Sequence, residues 1–278
     1  MDKLYISDLD GTLLGSDALL SRETVDGLNK LIEKGINFTV ATARTNATVV
    51  KMLSEVNIKL PVILMNGVTI YDIGKKEYVV TESISTEGKK HLFDVIKNHI
   101  GAGFVYCIDN NELATYYENA SSPAARAFIE ERERLYGKKF TRVTSFEECL
   151  CKNVVYYSID AEESTLREAY EKLSECPDLH IEFYRDIYNT DHWYLEVCSH
   201  TASKKNAVKR LRSILSADKV VSFGDNLNDI PMFEASDEAY AVANAKDEVK
   251  QRANGVIESN INNGVVKFIS SQLEKQSI

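Results

Sequence analysis

Asp8 and Asp10 stand two residues apart just after a short apolar run, Leu4-Tyr5-Ile6, and Gly11-Thr12 follows them. An apolar run closed by polar turn residues reads as the exit of a buried strand. Two carboxylates at such an exit suit phosphoryl transfer. One can attack phosphorus as an ionised nucleophile while the other manages a proton. Their combined negative charge calls for a divalent cation such as Mg²⁺, which takes oxygen ligands and can bridge to a phosphate. Asp-Gly is also an ordinary turn pair, so a strand ending in a polar loop accounts for the same residues.

Three further segments carry matching chemistry. Thr42, Ala43 and Arg44 follow an apolar run from Ile36 to Val40. They offer a hydroxyl and backbone N–H groups to a phosphate oxygen, although Thr42 taken alone reads more readily as a helix N-cap than as a ligand. Lys204 sits at the start of a helical pattern, where a lone lysine is otherwise a solvated side chain. Gly224-Asp225-Asn226-Leu227-Asn228-Asp229 closes the run Lys219 to Phe223. Its glycine permits a tight turn, and its acids and amides suit metal and phosphate coordination better than a helix interior.

The elements that must position these segments alternate between strand and helix. Val25, Leu28, Leu31 and Ile32 recur at helical spacing after a polar start at Ser21 and stop at Gly35. A helix carrying Val49, Val50, Leu53 and Val56 leads to a third apolar run, Pro61 to Gly67. The same alternation returns with Leu195-Glu196-Val197, a helix over 204–215, and strands at 219–223, 239–242 and 255–257. Continuous apolar strands between helices imply a parallel sheet covered on both faces. The stretch 83–188 differs, with charged helices at 124–136 and 164–173 and polar-aromatic strands such as 153–159. It reads as an inserted α+β domain with its own core, so the α/β domain comprises 1–82 and 189–278. On the helix after Ser203, Lys204 shares the inward face with Ala207, Val208 and Leu211, whereas Lys205 lines up with Lys209 and Arg212 toward solvent.

Composition narrows the function classes. A chain of 278 residues, 44% hydrophobic and 27% charged, is long enough for one large domain or two ordinary ones. Its net charge of −9 argues against a nucleic-acid or anionic-membrane surface, while a metal and a few focused cations still allow a small anionic substrate. No apolar run approaches a membrane span and no signal peptide is evident, so a cytoplasmic location is expected. Five scattered cysteines suggest reduced thiols rather than disulfides or zinc.

Taken together, Asp8 to Leu14, Ala41 to Arg44, Asn66-Gly67, Ser203-Lys204 and Gly224 to Asp229 resemble the haloacid dehalogenase superfamily, in its Cof-like branch of small-molecule phosphatases. The resemblance implies a doubly wound, Rossmann-like α/β core with a large inserted α+β cap. It implies that Asp8 becomes a transient aspartyl phosphate and that Asp10 protonates the leaving alcohol, then activates water. Mg²⁺ would sit between Asp8, the backbone carbonyl of Asp10 and Asp225, with Asn226 nearby. Thr42, Lys204, Asn228 and the N–H groups of Leu9 and Ala43 would hold phosphoryl oxygens, with Asp229 orienting Lys204 or a metal-bound water, and with Arg44 in support. The implied substrate is a small phosphorylated metabolite, either a sugar phosphate or a phosphorylated cofactor such as pyridoxal phosphate or flavin mononucleotide. A phosphomutase on the same scaffold is the alternative, and a non-catalytic regulatory binding protein a further one. The cap residues that set specificity and the oligomeric state are not legible.

Overall fold

Two textures of strand divide the chain. The computed structural model describes residues 2–185 and 191–276. They separate into one unit of Met1–Val80 with Ser203–Ile278 and a second of Thr81–Ala202.

In the first unit, short strands form a five-stranded parallel sheet, in which Lys3–Ser7, Asn37–Val40 and Lys219–Gly224 are buried along nearly their whole length. Its spatial order is Gly255–Ile257, Glu238–Val242, Lys219–Gly224, Lys3–Ser7 and Asn37–Val40. Lys3–Ser7 therefore lies inside the sheet, with later strands added outward on either side of it. This reversal of strand order is what makes the sheet doubly wound, and open α/β sheets bind ligands at such a switch point. Helix Arg22–Glu33 packs with Gly264–Gln276, and Lys204–Leu215 packs with Ile230–Glu234. The run expected at 61–67 behaves differently from a full parallel strand. Val62–Leu64 touches the parallel sheet through one bridge, Ala41 to Ile63, and otherwise joins an antiparallel ribbon with Thr69–Asp72 and Glu77–Thr81.

The second unit is built on a six-stranded sheet, mostly antiparallel, in the order Leu179–Arg185, His192–Ser199, Val154–Glu162, Phe104–Asp109, Glu112–Tyr117, Phe140–Arg142. Val105, Cys107, Tyr157, Leu195 and Val197 share a buried cluster with Leu92 and Phe93 of helix Thr86–Val95 and with Leu166 and Leu173 of helix Glu163–Leu173. Helix Pro123–Tyr136 contributes no buried residue to it, despite its amphipathic pattern. Leu195-Glu196-Val197, expected as a strand of the α/β domain, belongs here instead, paired antiparallel on both sides. The physical reason is its alternation: Leu195 and Val197 are buried while Tyr194 and Glu196 are only half-buried, the mark of a sheet packed on one face. The expected return between 188 and 189 lies outside the described residues, and the division falls between Ala202 and Ser203. Cys107, Cys149, Cys151, Cys176 and Cys198 are all free thiols. Among the described residues, no helix is long and apolar enough to cross a membrane.

Candidate active site

Strand register assembles the site. Ser7 lies beside Val40 on one side and Phe223 on the other, so three parallel strands end at one level. The residues that follow them are Asp8, Ala41-Thr42 and Gly224-Asp225. Lys204 arrives from the first turn of helix Lys204–Leu215, whose N-cap Ser203 accepts the Asn206 N–H at 3.1 Å. Burial of Ala207, Val208 and Leu211 fixes the phase of that helix and carries Lys204 inward with them.

The centre is a buried ion cluster. Lys204 Nζ donates to Asp8 Oδ1 at 2.6 Å and to Asp229 Oδ1 at 2.7 Å. Its side chain is 1% exposed, against 39% for Lys205, which instead pairs with Glu234 at 2.8 Å. The other Asp229 oxygen, Oδ2, accepts the N–H groups of Asp225 at 2.9 Å and Asn226 at 3.0 Å. Asp229 thus contacts both Lys204 and the loop 225–226. Carboxylate oxygens of Asp8, Asp225 and Asp229 lie within 4.8 Å of one another. Burial, reinforced by Asp229 and opposed by Lys204, raises the Asp8 carboxyl well above its usual range. Burial and Asp229 likewise push Asp225 up to about 6. Burial works to discharge Lys204, but Asp229 and Asp8 more than offset it and keep the ammonium charged.

Such a donor set fits a divalent cation. Three crowded carboxylates, Asp8, Asp225 and Asp229, face one ammonium, and all offer hard oxygens of the kind a divalent cation takes. Asn226, expected nearby, spends its side-chain oxygen capping the short helix Leu227–Asp229, where it accepts the Leu227 N–H at 2.8 Å.

The remaining expected residues fall around this cluster. Asp10 is more exposed, and Arg44 grips it with both arms of the guanidinium, Nε to Oδ2 at 2.8 Å and Nη2 to Oδ1 at 2.6 Å. Arg44 therefore acts directly on the second carboxylate. Thr42 is buried, and its Oγ1 accepts the Arg44 N–H at 3.2 Å, while Ala43 is exposed in the same loop. Leu9 is buried, and its carbonyl accepts N–H groups from Thr12, Leu13 and Leu14, which tightens the turn after the strand. Asn228 Nδ2 donates to Asn66 Oδ1 at 3.2 Å.

The model for haloacid dehalogenase-like hydrolases matches residues 5–269 of this sequence. The chain belongs to that family. It is 26% identical to "Pyridoxal phosphate phosphatase YbhA" of Escherichia coli, over 96% of this chain and 97% of that protein. It is also 26% identical to "5-amino-6-(5-phospho-D-ribitylamino)uracil phosphatase YwtE" of Bacillus subtilis, over 99% of each. A Thermotoga maritima structure shares the fold with a TM-score of 0.80 at 23% identity, covering 98% of this chain and 97% of its own.

For this haloacid dehalogenase-like chain, sequence reasoning missed two contacts that shape the acidic loops. Thr12 donates its hydroxyl to Asp225 Oδ1 at 2.9 Å, joining two distant motifs. Its place directly after the Asp-Gly turn was the available signal. Asn244 Nδ2 donates to the Gly11 carbonyl at 2.7 Å, and nothing local in the sequence marks it. The strand segment His192-Trp193-Tyr194 makes contacts within the second unit. His192 Nδ1 lies 2.8 Å from Asp160, Trp193 packs on Phe183 and Tyr194 on Tyr184.

Proposed function

We propose that this chain, a haloacid dehalogenase-like phosphatase, hydrolyses a small phosphomonoester in two steps through Asp8. An Asp8 carboxylate oxygen attacks phosphorus, and the bond from phosphorus to the ester oxygen breaks. Asp10 gives its proton to the departing alkoxide. The Asp10 carboxylate then takes a proton from water, whose oxygen attacks the aspartyl phosphate and releases phosphate with Asp8 regenerated. The observation that carries this reading is the buried Lys204 ammonium at 2.6 Å from Asp8. Lys204 fixes the nucleophile through Oδ1 and stands ready to balance charge on a phosphoryl group brought there. Because Arg44 engages both Asp10 oxygens, one of those bonds must open when Asp10 carries its proton.

Asp8, Asp225 and the Asp10 carbonyl would hold Mg²⁺, which supplies Lewis-acid stabilisation of phosphoryl oxygens and offsets the local excess of carboxylates. Thr42, Asn228 and the backbone N–H groups of Leu9 and Ala43 complete the phosphate cradle. Similarity to enzymes named for pyridoxal phosphate and for a phosphoribitylamino-uracil supports a primary phosphate ester of a cofactor, a cofactor precursor or a sugar. Phosphate release from a panel of such esters tests this, with Asp8→Asn as control. The amide keeps the shape of the carboxylate but is not an ionised nucleophile, so turnover should vanish in a folded protein. Substantial release by folded Asp8→Asn would remove Asp8 from its role.

A further inference from the structure

The turn 65–67 touches three of the segments read as phosphate-binding, at 42–44, 203–204 and 228, and pays for its shape in backbone strain. Met65, Asn66 and Gly67 have φ of 51°, 53° and 99°, so two consecutive non-glycine residues occupy the left-handed region. L-residues with side chains avoid that region because Cβ crowds the following carbonyl, and such outliers persist only where surrounding contacts impose them. Here the contacts are specific. The Asn66 N–H donates to the Thr42 carbonyl at 3.0 Å, and the Met65 N–H to the Arg44 carbonyl at 3.1 Å. Gly67 lies so close to the start of the Lys204 helix that an added Cβ would sit 2.2 Å from the Ser203 carbonyl oxygen and 2.8 Å from the Lys204 nitrogen. The Asn66 side chain completes the set by accepting from Asn228.

We propose that Asn66 is a positioning residue, which orients the Asn228 amide toward the phosphoryl group from a turn that also spaces the Thr42 loop and the Lys204 helix. The inference rests on the phosphatase reading above, in which Asn228 binds phosphate. Asparagine suits the position on two counts, since it tolerates left-handed backbone better than most residues and its short amide accepts a hydrogen bond.

Asn66→Gly separates these two properties, keeping the backbone freedom and deleting the amide. In the full-length, Mg²⁺-supplied protein, kcat/KM should fall and the inhibition constant of inorganic phosphate should rise, each by roughly three- to tenfold, with thermal stability retained. Combined with Asn228→Ala, it should add nothing beyond the Asn228→Ala effect, because one residue acts through the other. Unchanged phosphate inhibition in Asn66→Gly, or additive losses in the double variant, would overturn the inference. So would an Asn228→Ala enzyme that behaves as the parent. None of these outcomes touches the Asp8 nucleophile, whose failure would appear separately as turnover by Asp8→Asn.

Discussion

Replacing Lys204 with methionine is the most searching perturbation of the cluster, because it keeps the apolar stem and removes only the ammonium. The structure sets the magnitude. Lys204 is 1% exposed and is the cation within hydrogen-bond distance of Asp8 and Asp229, at 2.6 and 2.7 Å. Removing one partner of a buried pair typically costs about 3–5 kcal/mol, since the charge left behind is desolvated and unpaired. Here two carboxylates are orphaned, although protonation of Asp8 can relieve part of the loss. Domains are stable by about 5–15 kcal/mol, so Lys204→Met should still fold but with a clearly lowered urea midpoint. Losing even a neutral donor to transition-state charge typically costs about 10²–10³ in rate, so kcat/KM should fall at least that far. Lys205→Ala is the matched control on the same turn. Its pair with Glu234 is exposed and screened by solvent, so its removal should leave the urea midpoint close to the parent's and change activity by less than roughly threefold. Urea denaturation in metal-free buffer and steady-state phosphate release measure both quantities. Equal effects from the two lysines, or a larger one at Lys205, would refute the argument that helix phase and burial separate them.

Two further outcomes follow from the acidic cluster. Chelation with EDTA should silence turnover and added Mg²⁺ should restore it, whereas Ca²⁺ should bind yet support little activity because its looser coordination misplaces the nucleophile; full activity after exhaustive chelation would exclude the metal assignment. Asp225 sits near 6, above the usual carboxylate value, so the folded metal-free protein holds this proton more tightly than the unfolded chain. The sign follows: its stability penalty builds as pH rises from about 4 to about 6 and is complete above that. Asp225→Asn should therefore gain stability relative to the parent across that interval in metal-free urea titrations, and a constant difference would contradict it.

Much of the site was legible because its residues are tied to local patterns. Strand exits place Asp8, Thr42 and Asp225, and helical spacing alone separates Lys204 from Lys205. The family motifs then supplied their order along the chain. What escaped was tertiary geometry. Nothing local shows that Arg44 reaches back across the sheet end to grip Asp10, or that Thr12 and Asp225 meet. Asn66 was read as part of a motif, but its backbone conformation is set by contacts with 42–44, 203–204 and 228, which no window of sequence contains. Leu195-Glu196-Val197, read as a strand of the α/β domain, pairs in the second unit's sheet as part of His192–Ser199. The continuous burial of 220–224 beside the alternating burial of 194–197 was the distinguishing sign.

The position of Lys3–Ser7 inside the parallel sheet has a consequence for biosynthesis. Its partner on one side, Asn37–Val40, follows it closely, but on the other side Lys3 pairs with Lys219. A chain emerging N-terminus first must therefore hold an apolar strand with one edge open while the whole second unit is made. That unit carries its own buried cluster, and its independent collapse would shorten the segment still to be closed before Lys219–Gly224 can dock. Until then the strand that leads to Asp8 keeps one apolar edge unpaired.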